Sequence, residues 1–193
     1  MKVFNLTKQS EIYTSNVYYI LGSKNALEDK NTLIDVGRDP AILDVIQNFN
    51  SGVGKHKVDQ VILTHEHYDH SSLLLEIKKR FNPKVYAFSP FVKGIDQLIK
   101  DGDILKAGDE KIEIIHTPGH TNDSICIYCP YSRSIFVGDT PIIITNPSSY
   151  EPPFINAYRK LISKKIQTVY PGHGPPLTEN ISEKILKSFE NIY

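Results

Sequence analysis

The densest set of chemically active side chains in this 193-residue chain is the hexapeptide HEHYDH at positions 65–70. Imidazole nitrogens and carboxylate oxygens are ligands that zinc, iron and manganese accept. The apolar, β-branched run at 61–64 predicts a buried strand before the hexapeptide, and the run at 71–80 predicts a helix after it. The hexapeptide therefore belongs to a loop on a rigid scaffold, the usual position of functional groups.

Three further segments carry polar side chains directly after strand-like runs. They are HTPGHT at 116–121, GDT at 138–140 and PGHG at 171–174. Glycine and proline favour sharp turns at these strand ends, which lets a side chain project from the edge of a sheet. We expect the four strand ends to converge on one site.

The spacing within the hexapeptide predicts two neighbouring metal sites. In an extended loop His65 and His67 point in the same direction, so both can bind one ion. Asp69 and His70 follow where the chain turns into the helix, which places them better for a second ion.

The other segments complete the two sets of ligands. With His120 added to the first pair and His173 to the second, each ion has three protein ligands, and Asp139 can bridge both. Coordination positions left open for water are typical of a catalytic metal site. The predicted metal ligands are His65, His67, Asp69, His70, His120, Asp139 and His173.

The remaining pattern predicts a mixed α/β fold in which apolar helix stripes cover the faces of a sheet. No internal repeat or linker divides the chain, so we expect a single domain over residues 1–193. Strands are expected at 3–6, 17–21, 32–35, 61–64, 85–88, 112–115, 125–128, 134–137 and 168–170. Helices are expected at 40–49, 71–80, 90–99, 155–162 and 181–189.

The two cysteines, Cys126 and Cys129, form a CxxC string within a segment that alternates like a strand. In a strand, side chains at positions i and i+3 point to opposite faces, so these sulfurs cannot readily share a metal or a disulfide. We interpret both as buried structural cysteines.

The net charge and hydropathy of the chain indicate which kinds of molecule it is expected to bind. Lys plus Arg equals Asp plus Glu at 22 each, which gives no indication of nucleic acid or an acidic membrane surface. The first residues form no apolar signal segment, and no apolar run is long enough to cross a membrane. We expect a cytoplasmic protein that acts on a small molecule.

The strings THEHYDH, HTPGHT, VGDT and YPGHG, in this order, resemble the metallo-β-lactamase-fold hydrolases. LIDVG at 33–37 is similar to the family's early aspartate-containing strand end, where Asp35 would support the metal loop. The resemblance covers residues 16–176. It implies a four-layer αββα sandwich of the metallo-β-lactamase type, with a binuclear site at one edge and the two ligand sets given above. The glyoxalase II (hydroxyacylglutathione hydrolase) group is the most similar within that superfamily.

Differences between this sequence and the members of that superfamily make some of the family's activities less favoured. Asp139 stands where several zinc β-lactamases have cysteine or lack a bridging acid, which disfavours a β-lactamase role. Glyoxalase II binds glutathione through a helical C-terminal domain, but only about twenty residues follow His173. Glutathione recognition by that surface is therefore not expected. The superfamily's tRNA-processing nucleases have a long substrate arm and basic surfaces, which this short, neutral chain lacks.

The resemblance implies a binuclear metal-dependent hydrolase that cleaves a small thioester or ester. Two divalent ions, zinc first with iron or manganese as alternatives, would share a hydroxide that attacks the carbonyl carbon. Asp139 and Asp69 are the candidate catalytic residues. A thiolate leaving group needs little protonation, whereas for an alkoxide the candidate proton donors are Asp69, Tyr68 and metal-bound water.

Two alternative activities remain open, and a third, non-catalytic role is disfavoured. A persulfide dioxygenase of this superfamily would load one iron on the residues matching His65, His120 and Asp139. A lactonase would use the same full ligand set. A non-catalytic binding module is disfavoured because all seven ligand candidates are present.

Four other features are expected to lie around the ligands without binding a metal. His116 is expected to hydrogen-bond to groups that support the metal ligands and not to bind a metal itself. Glu66 is expected to have a structural role, and Tyr68 to line the site. The apolar segment at 141–150 fits equally an ordinary loop or one wall of the substrate pocket.

Overall fold

A computed structural model describes residues 1–192, which form strands in two sheets and five helices. The strands are β1 Lys2–Asn5, β2 Tyr18–Leu21, β3 Thr32–Ile34, β4 Gln60–Ile62, β5 Lys84–Ala87, β6 Gln97–Leu98, β7 Ile104–Ala107, β8 Glu110–His116, β9 Ile125–Cys129, β10 Ser134–Gly138 and β11 Thr168–Pro171. The helices are α1 Ala41–Asn48, α2 Tyr68–Ser71, α3 Leu74–Phe81, α4 Pro152–Ile162 and α5 Ile181–Phe189.

The first sheet has six strands in the order β1-β2-β3-β4-β5-β6, and its strands from β3 to β6 run parallel. The second sheet has five strands in the order β11-β10-β9-β8-β7, and there only β10 and β11 are parallel. Parallel neighbours end at the same edge of a sheet, so the loops that follow β3 and β4, and those that follow β10 and β11, are brought together in pairs.

Alternation along the strands sorts the apolar side chains into layers. In β2, Tyr18 and Ile20 pack between the two sheets, whereas Tyr19 and Leu21 pack under α1 and α3. Helices α4 and α5 cover the opposite face of the second sheet through a separate cluster that includes Phe154. The predicted αββα sandwich is confirmed.

Hydrogen bonds join the two sheets at the edge that carries the polar motifs. The Ile125 amide at the start of β9 donates to the Thr64 carbonyl after β4, at 2.9 Å. The Asn16 amide before β2 donates to the Gly172 carbonyl after β11, at 2.6 Å. Loops from both sheets are therefore fixed relative to one another at this edge.

The helix expected at 90–99 is wrong, because residues 90–96 form turns and the short strand β6 follows. Gly94 has φ of +101°, which interrupts any helix. The Asp96 carboxylate accepts hydrogen bonds from the Val85 amide at 2.8 Å and from the Lys78 ammonium at 2.6 Å. These bonds align the chain beside β5 in place of a helix.

The structure also bears on the helix expected at 71–80, on the two cysteines and on membrane-spanning helices. The helix expected at 71–80 is present as α2 and α3, and strand β7 was not anticipated. Both cysteines are buried and unpaired, with Cys126 in the cluster under α4 and α5 and Cys129 between the sheets, which confirms their opposite orientation. Among residues 1–192, none of the helices has the length and apolar character needed to cross a membrane.

We predict that Asp96→Ala lowers the free energy of unfolding by about 1 kcal/mol, because the Val85 amide loses its carboxylate acceptor. Denaturant titration followed by circular dichroism measures this change. The control is Asp44→Ala, which removes a more exposed carboxylate paired with Arg80 at 2.8 Å and should change stability by less than about 0.5 kcal/mol. Equal effects of the two substitutions would contradict this explanation.

Candidate metal centre

A buried carboxylate, that of Asp35, organises the edge of the first sheet. The residue follows β3, has φ of +58° and is 2 % exposed. Its carboxylate accepts hydrogen bonds from the Thr64 amide, the Thr64 hydroxyl and the His70 Nδ1–H, each at 2.8 Å. One side chain thus fixes both ends of the loop at 65–70.

These hydrogen bonds also set which ring nitrogen of each buried histidine is free. His70 uses Nδ1 toward Asp35, and His65 uses Nδ1 toward the Thr64 hydroxyl at 3.1 Å. In the neutral form of both rings Nε2 therefore carries the lone pair, the state that a metal-binding imidazole requires. Thr64 and Asp35 hold the two rings in that state.

The second sheet contributes one histidine from the loop after β8. His120 is partly exposed, and its Nε2 lies 3.0 Å from Nδ1 of His67. The loop is held by the Thr117 hydroxyl, which lies 3.0 Å from that of Thr140, and by His116, whose Nε2–H donates to the Asn122 carbonyl at 2.8 Å. His116 thus contacts the loop that carries His120 and is outside the ligand clusters.

Asp139 and His173 project from the ends of the parallel strands β10 and β11. Glycines beside them permit close packing. A Cβ on Gly172 would come within 2.2 Å of Asp139 Oδ1, and one on Gly138, which has φ of +51°, within 2.5 Å of the Thr64 hydroxyl. A larger residue at either position would displace the site.

The structure brings all seven predicted ligands together in three groups of three residues. Within each group the ligand atoms lie within 4.8 Å of one another. The first group is His65, His67 and His120, and the second is Asp69, His70 and His173. These are the two sets expected from the spacing. A third group is His65, His70 and Asp139, and Asp139 Oδ2 also lies 3.5 Å from His120 Nε2 and 3.6 Å from His173 Nε2. Asp139 is thus the residue that both sets approach.

Three buried ring nitrogens in these groups are without hydrogen-bond partners in the part of the chain that the structure describes, which bears on whether the residues suit a metal ion. Nε2 of His65, of His70 and of His173 has no hydrogen-bond partner among residues 1–192. His173 Nε2 lies 3.1 Å from Asp69 Oδ2 and His70 Nε2 lies 3.3 Å from Asp139 Oδ1, but neither contact has hydrogen-bond geometry. Buried polar atoms without partners are costly, so converging imidazoles and carboxylates of this kind fit a divalent cation.

The charges of the centre are consistent with that fit. Burial and the neighbouring His70 lower the pKa of His65 to about 4, so this ring is neutral at pH 7. Burial alone would lower the pKa of His70, but the charges of Asp35 and Asp139 outweigh it and raise that pKa to about 10, so a cation at its Nε2 would take the place of a proton. Burial would raise the pKa of Asp139, yet His70 and His173 hold it at about 2. The ionised carboxylate of Asp139 therefore faces the ring nitrogens of His70 and His173 and favours a bound cation.

Two residues at the site were missed in the sequence. The Asn16 side-chain amide donates to the carbonyls of Pro171 and Gly174, both at 2.8 Å, and so holds the turn that carries His173. Tyr13 stacks on the His173 ring, with ring centroids 5.3 Å apart. The charge of Asp69 raises the pKa of Tyr13, so its hydroxyl stays protonated at neutral pH.

Two clefts adjoin the centre on different sides. The Asp139 cleft, of ≈ 390 Å³, touches His120, Asp139 and His173, and its apolar lining includes Ile142 and Ile143. The apolar segment at 141–150 thus provides a wall of this cleft. The His67 cleft, of ≈ 490 Å³, lies beside Glu66, His67 and Tyr68.

Comparison with known proteins finds relatives among curated enzymes. The chain is 33% identical over 120 residues to a hydroxyacylglutathione hydrolase of Mesorhizobium japonicum, an alignment that covers 58% of this chain and 47% of that protein. It is 26% identical over 189 residues to an atrochrysone carboxyl ACP thioesterase of Aspergillus fumigatus, which covers 94% and 57% of the two chains. The chain thus spans about half the length of the curated relatives it matches.

The chain also resembles a solved structure in its fold and matches the sequence model of a protein family. The crystal structure of TTHA1623 in a di-iron-bound form superposes with a TM-score of 0.68 at 20% identity, covering 96% of this chain and 98% of that one. The sequence description of the metallo-beta-lactamase superfamily matches residues 12–173. With its sandwich fold and its edge cluster of histidines and aspartates, this chain belongs to the metallo-beta-lactamase superfamily.

Proposed function

We propose that this chain is a binuclear metal-dependent hydrolase that cleaves a small thioester or ester. The observation that carries the proposal is the pair of three-ligand groups approached by Asp139, in which three buried ring nitrogens lack hydrogen-bond partners. The relatives named as a hydroxyacylglutathione hydrolase and an ACP thioesterase support the thioester class. Zinc is the first candidate metal, and the proposed setting is the cytoplasm.

Each candidate ligand has a defined role in this proposal. His65, His67 and His120 would hold one ion, Asp69, His70 and His173 would hold the other, and Asp139 would serve both. When bound, two divalent ions would supply a water-derived nucleophile at neutral pH and would polarise the acyl carbonyl.

The surrounding residues orient these ligands and the substrate. Asp35 and Thr64 keep the free Nε2 atoms of His70 and His65 directed into the centre. The two clefts flank the centre, so a substrate with arms on both sides of its carbonyl can lie across it. A thiolate leaving group departs without a dedicated proton donor, which favours thioesters among the possible acyl substrates.

The first test measures thiol release from a panel of acyl thioesters, with esters and lactones in parallel. We predict turnover of at least one thioester, and a loss of about 100-fold or more in kcat/KM for Asp139→Asn with lower metal content and an unchanged circular dichroism spectrum. Asp44→Asn, on the exposed face of α1, is the matched control and should leave both quantities unchanged. A fully active and fully metallated Asp139→Asn protein would refute the assignment.

A second prediction concerns the tautomer of His70. In Asp35→Asn the amide can present an N–H to His70 Nδ1, which would move the ring proton to Nε2 and block ligation. Metal affinity should fall about 10-fold to 100-fold at the group of Asp69, His70 and His173, and less at the other group. Stepwise metal titration measures the metal affinities of the two groups separately.

The control for this substitution is Asp59→Asn, which alters a carboxylate that accepts the Asn31 amide at 2.7 Å away from the centre. That variant should keep both affinities. Equal weakening of both groups in Asp35→Asn would show that Asp35 supports the loop as a whole and does not select the His70 tautomer.

A further inference from the structure

The His67 cleft, of ≈ 490 Å³, lies beside the candidate metal centre and can hold one arm of a substrate, whose chemistry its lining indicates. It shares His67 with the centre, whereas the Asp139 cleft touches the other side. Its walls come from α2, the start of α3 and the turn after β5. The lining residues that bear on its chemistry are Glu66, His67, Tyr68, Leu75, Phe91 and Lys93.

Large apolar side chains are held at the surface around this cleft. Phe91 is 87% exposed, and Tyr68 and Leu75 are 59% and 46% exposed. The Phe91 amide donates to the Ser89 hydroxyl at 3.2 Å, and that hydroxyl donates to the Glu66 carboxylate at 2.9 Å. The backbone of Phe91 is thus tied to the metal loop while its ring is exposed, and with Tyr68 and Leu75 the ring gives the cleft an apolar wall.

The cleft also carries a cation that lacks a partner. Within residues 1–192, no carboxylate forms an ion pair with Lys93, whereas the nearby Lys78 is bound to Asp96 and the Gly94 carbonyl. The Arg38 guanidinium lies 4.6 Å from the centre of the Tyr68 ring and adds positive charge on that side. The Asp139 cleft has no lysine or arginine in its lining. The one carboxylate in the lining of the His67 cleft, that of Glu66, accepts a hydrogen bond from the Ser89 hydroxyl, so Lys93 is available to pair with an anionic group on the substrate.

We propose that the His67 cleft binds an anionic arm of the substrate. The apolar part of the arm packs on Phe91 and Leu75, and a terminal carboxylate or phosphate pairs with Lys93. The inference rests on the proposed function, because it places the carbonyl of the same substrate at the metal centre.

Two matched pairs of thioesters test this proposal on the protein as purified. The first pair is the acetyl thioesters of mercaptohexanoate and mercaptohexanol, which differ only in the terminal charge of the thiol arm. The second pair is the ethanethiol monothioester of adipate and that of hexanoate, which differ in the acyl arm. We predict that kcat/KM favours the anionic member by about threefold to tenfold in one of the two pairs.

Two substitutions assign that preference to the cleft. Lys93→Ala should abolish it by raising KM for the anionic substrate at unchanged kcat, and Lys93→Glu should reverse it. Phe91→Ala should raise KM about tenfold for both members of that pair. The matched controls are Lys111→Ala and Tyr131→Ala, which change an exposed lysine and an 88% exposed aromatic ring at another cleft, and both should have no effect.

Binding of the non-hydrolysable thioethers of the first pair, ethylthiohexanoate and ethylthiohexanol, separates the two proposals. Charge-selective binding that depends on Lys93, without any thioester hydrolysis, would keep the cleft and reject the hydrolase. Hydrolysis without a charge preference in either pair, or with a preference that survives Lys93→Ala, would reject the cleft and keep the hydrolase.

Discussion

The hydrogen bonds of the buried Asp35 carboxylate are the interaction on which the rest of the centre depends. They reach Thr64 before the metal loop and His70 at its end, so a single side chain determines where the loop begins, where it ends and which nitrogen of His70 is free. A carboxyl group is costly to bury unless its oxygens have hydrogen-bond partners, and here the ligand-bearing loop provides them. The stability of the sheet edge and the geometry of the site thus rest on the same bonds.

The second constraint is that the ligands come from two sheets. His65, His67, Asp69 and His70 follow β4, whereas His120, Asp139 and His173 follow strands of the other sheet. Both candidate groups include residues from each sheet, so their geometry depends on how the sheets are held together. The bonds from Asn16 to the turn of His173 and from Ile125 to Thr64 do this at the edge itself. A bound cation would add a further link between the sheets and would satisfy the unpartnered nitrogens.

The sequence indicated which candidate ligands lie together, but it did not predict all of the scaffold. Four ligand candidates share one hexapeptide, and His120, Asp139 and His173 each stand beside a glycine at a strand end. These are local signals that can be read without the fold, and the structure brings all seven residues together. The helix expected at 90–99 failed because apolar residues with helical spacing surround Gly94, whose left-handed conformation and the long-range bonds of Asp96 decide the local structure. Tyr13 and Asn16 could not be identified because their partners lie more than 150 residues away, and no local pattern marks such contacts.

The most direct test of the account is a crystal structure of the protein purified without added metal, with anomalous scattering data that locate and identify any ions. The account predicts two peaks, one bounded by His65, His67 and His120 and the other by Asp69, His70 and His173, both within bonding distance of Asp139. A single peak in the group of His65, His70 and Asp139, or no peak at all, would contradict a binuclear centre.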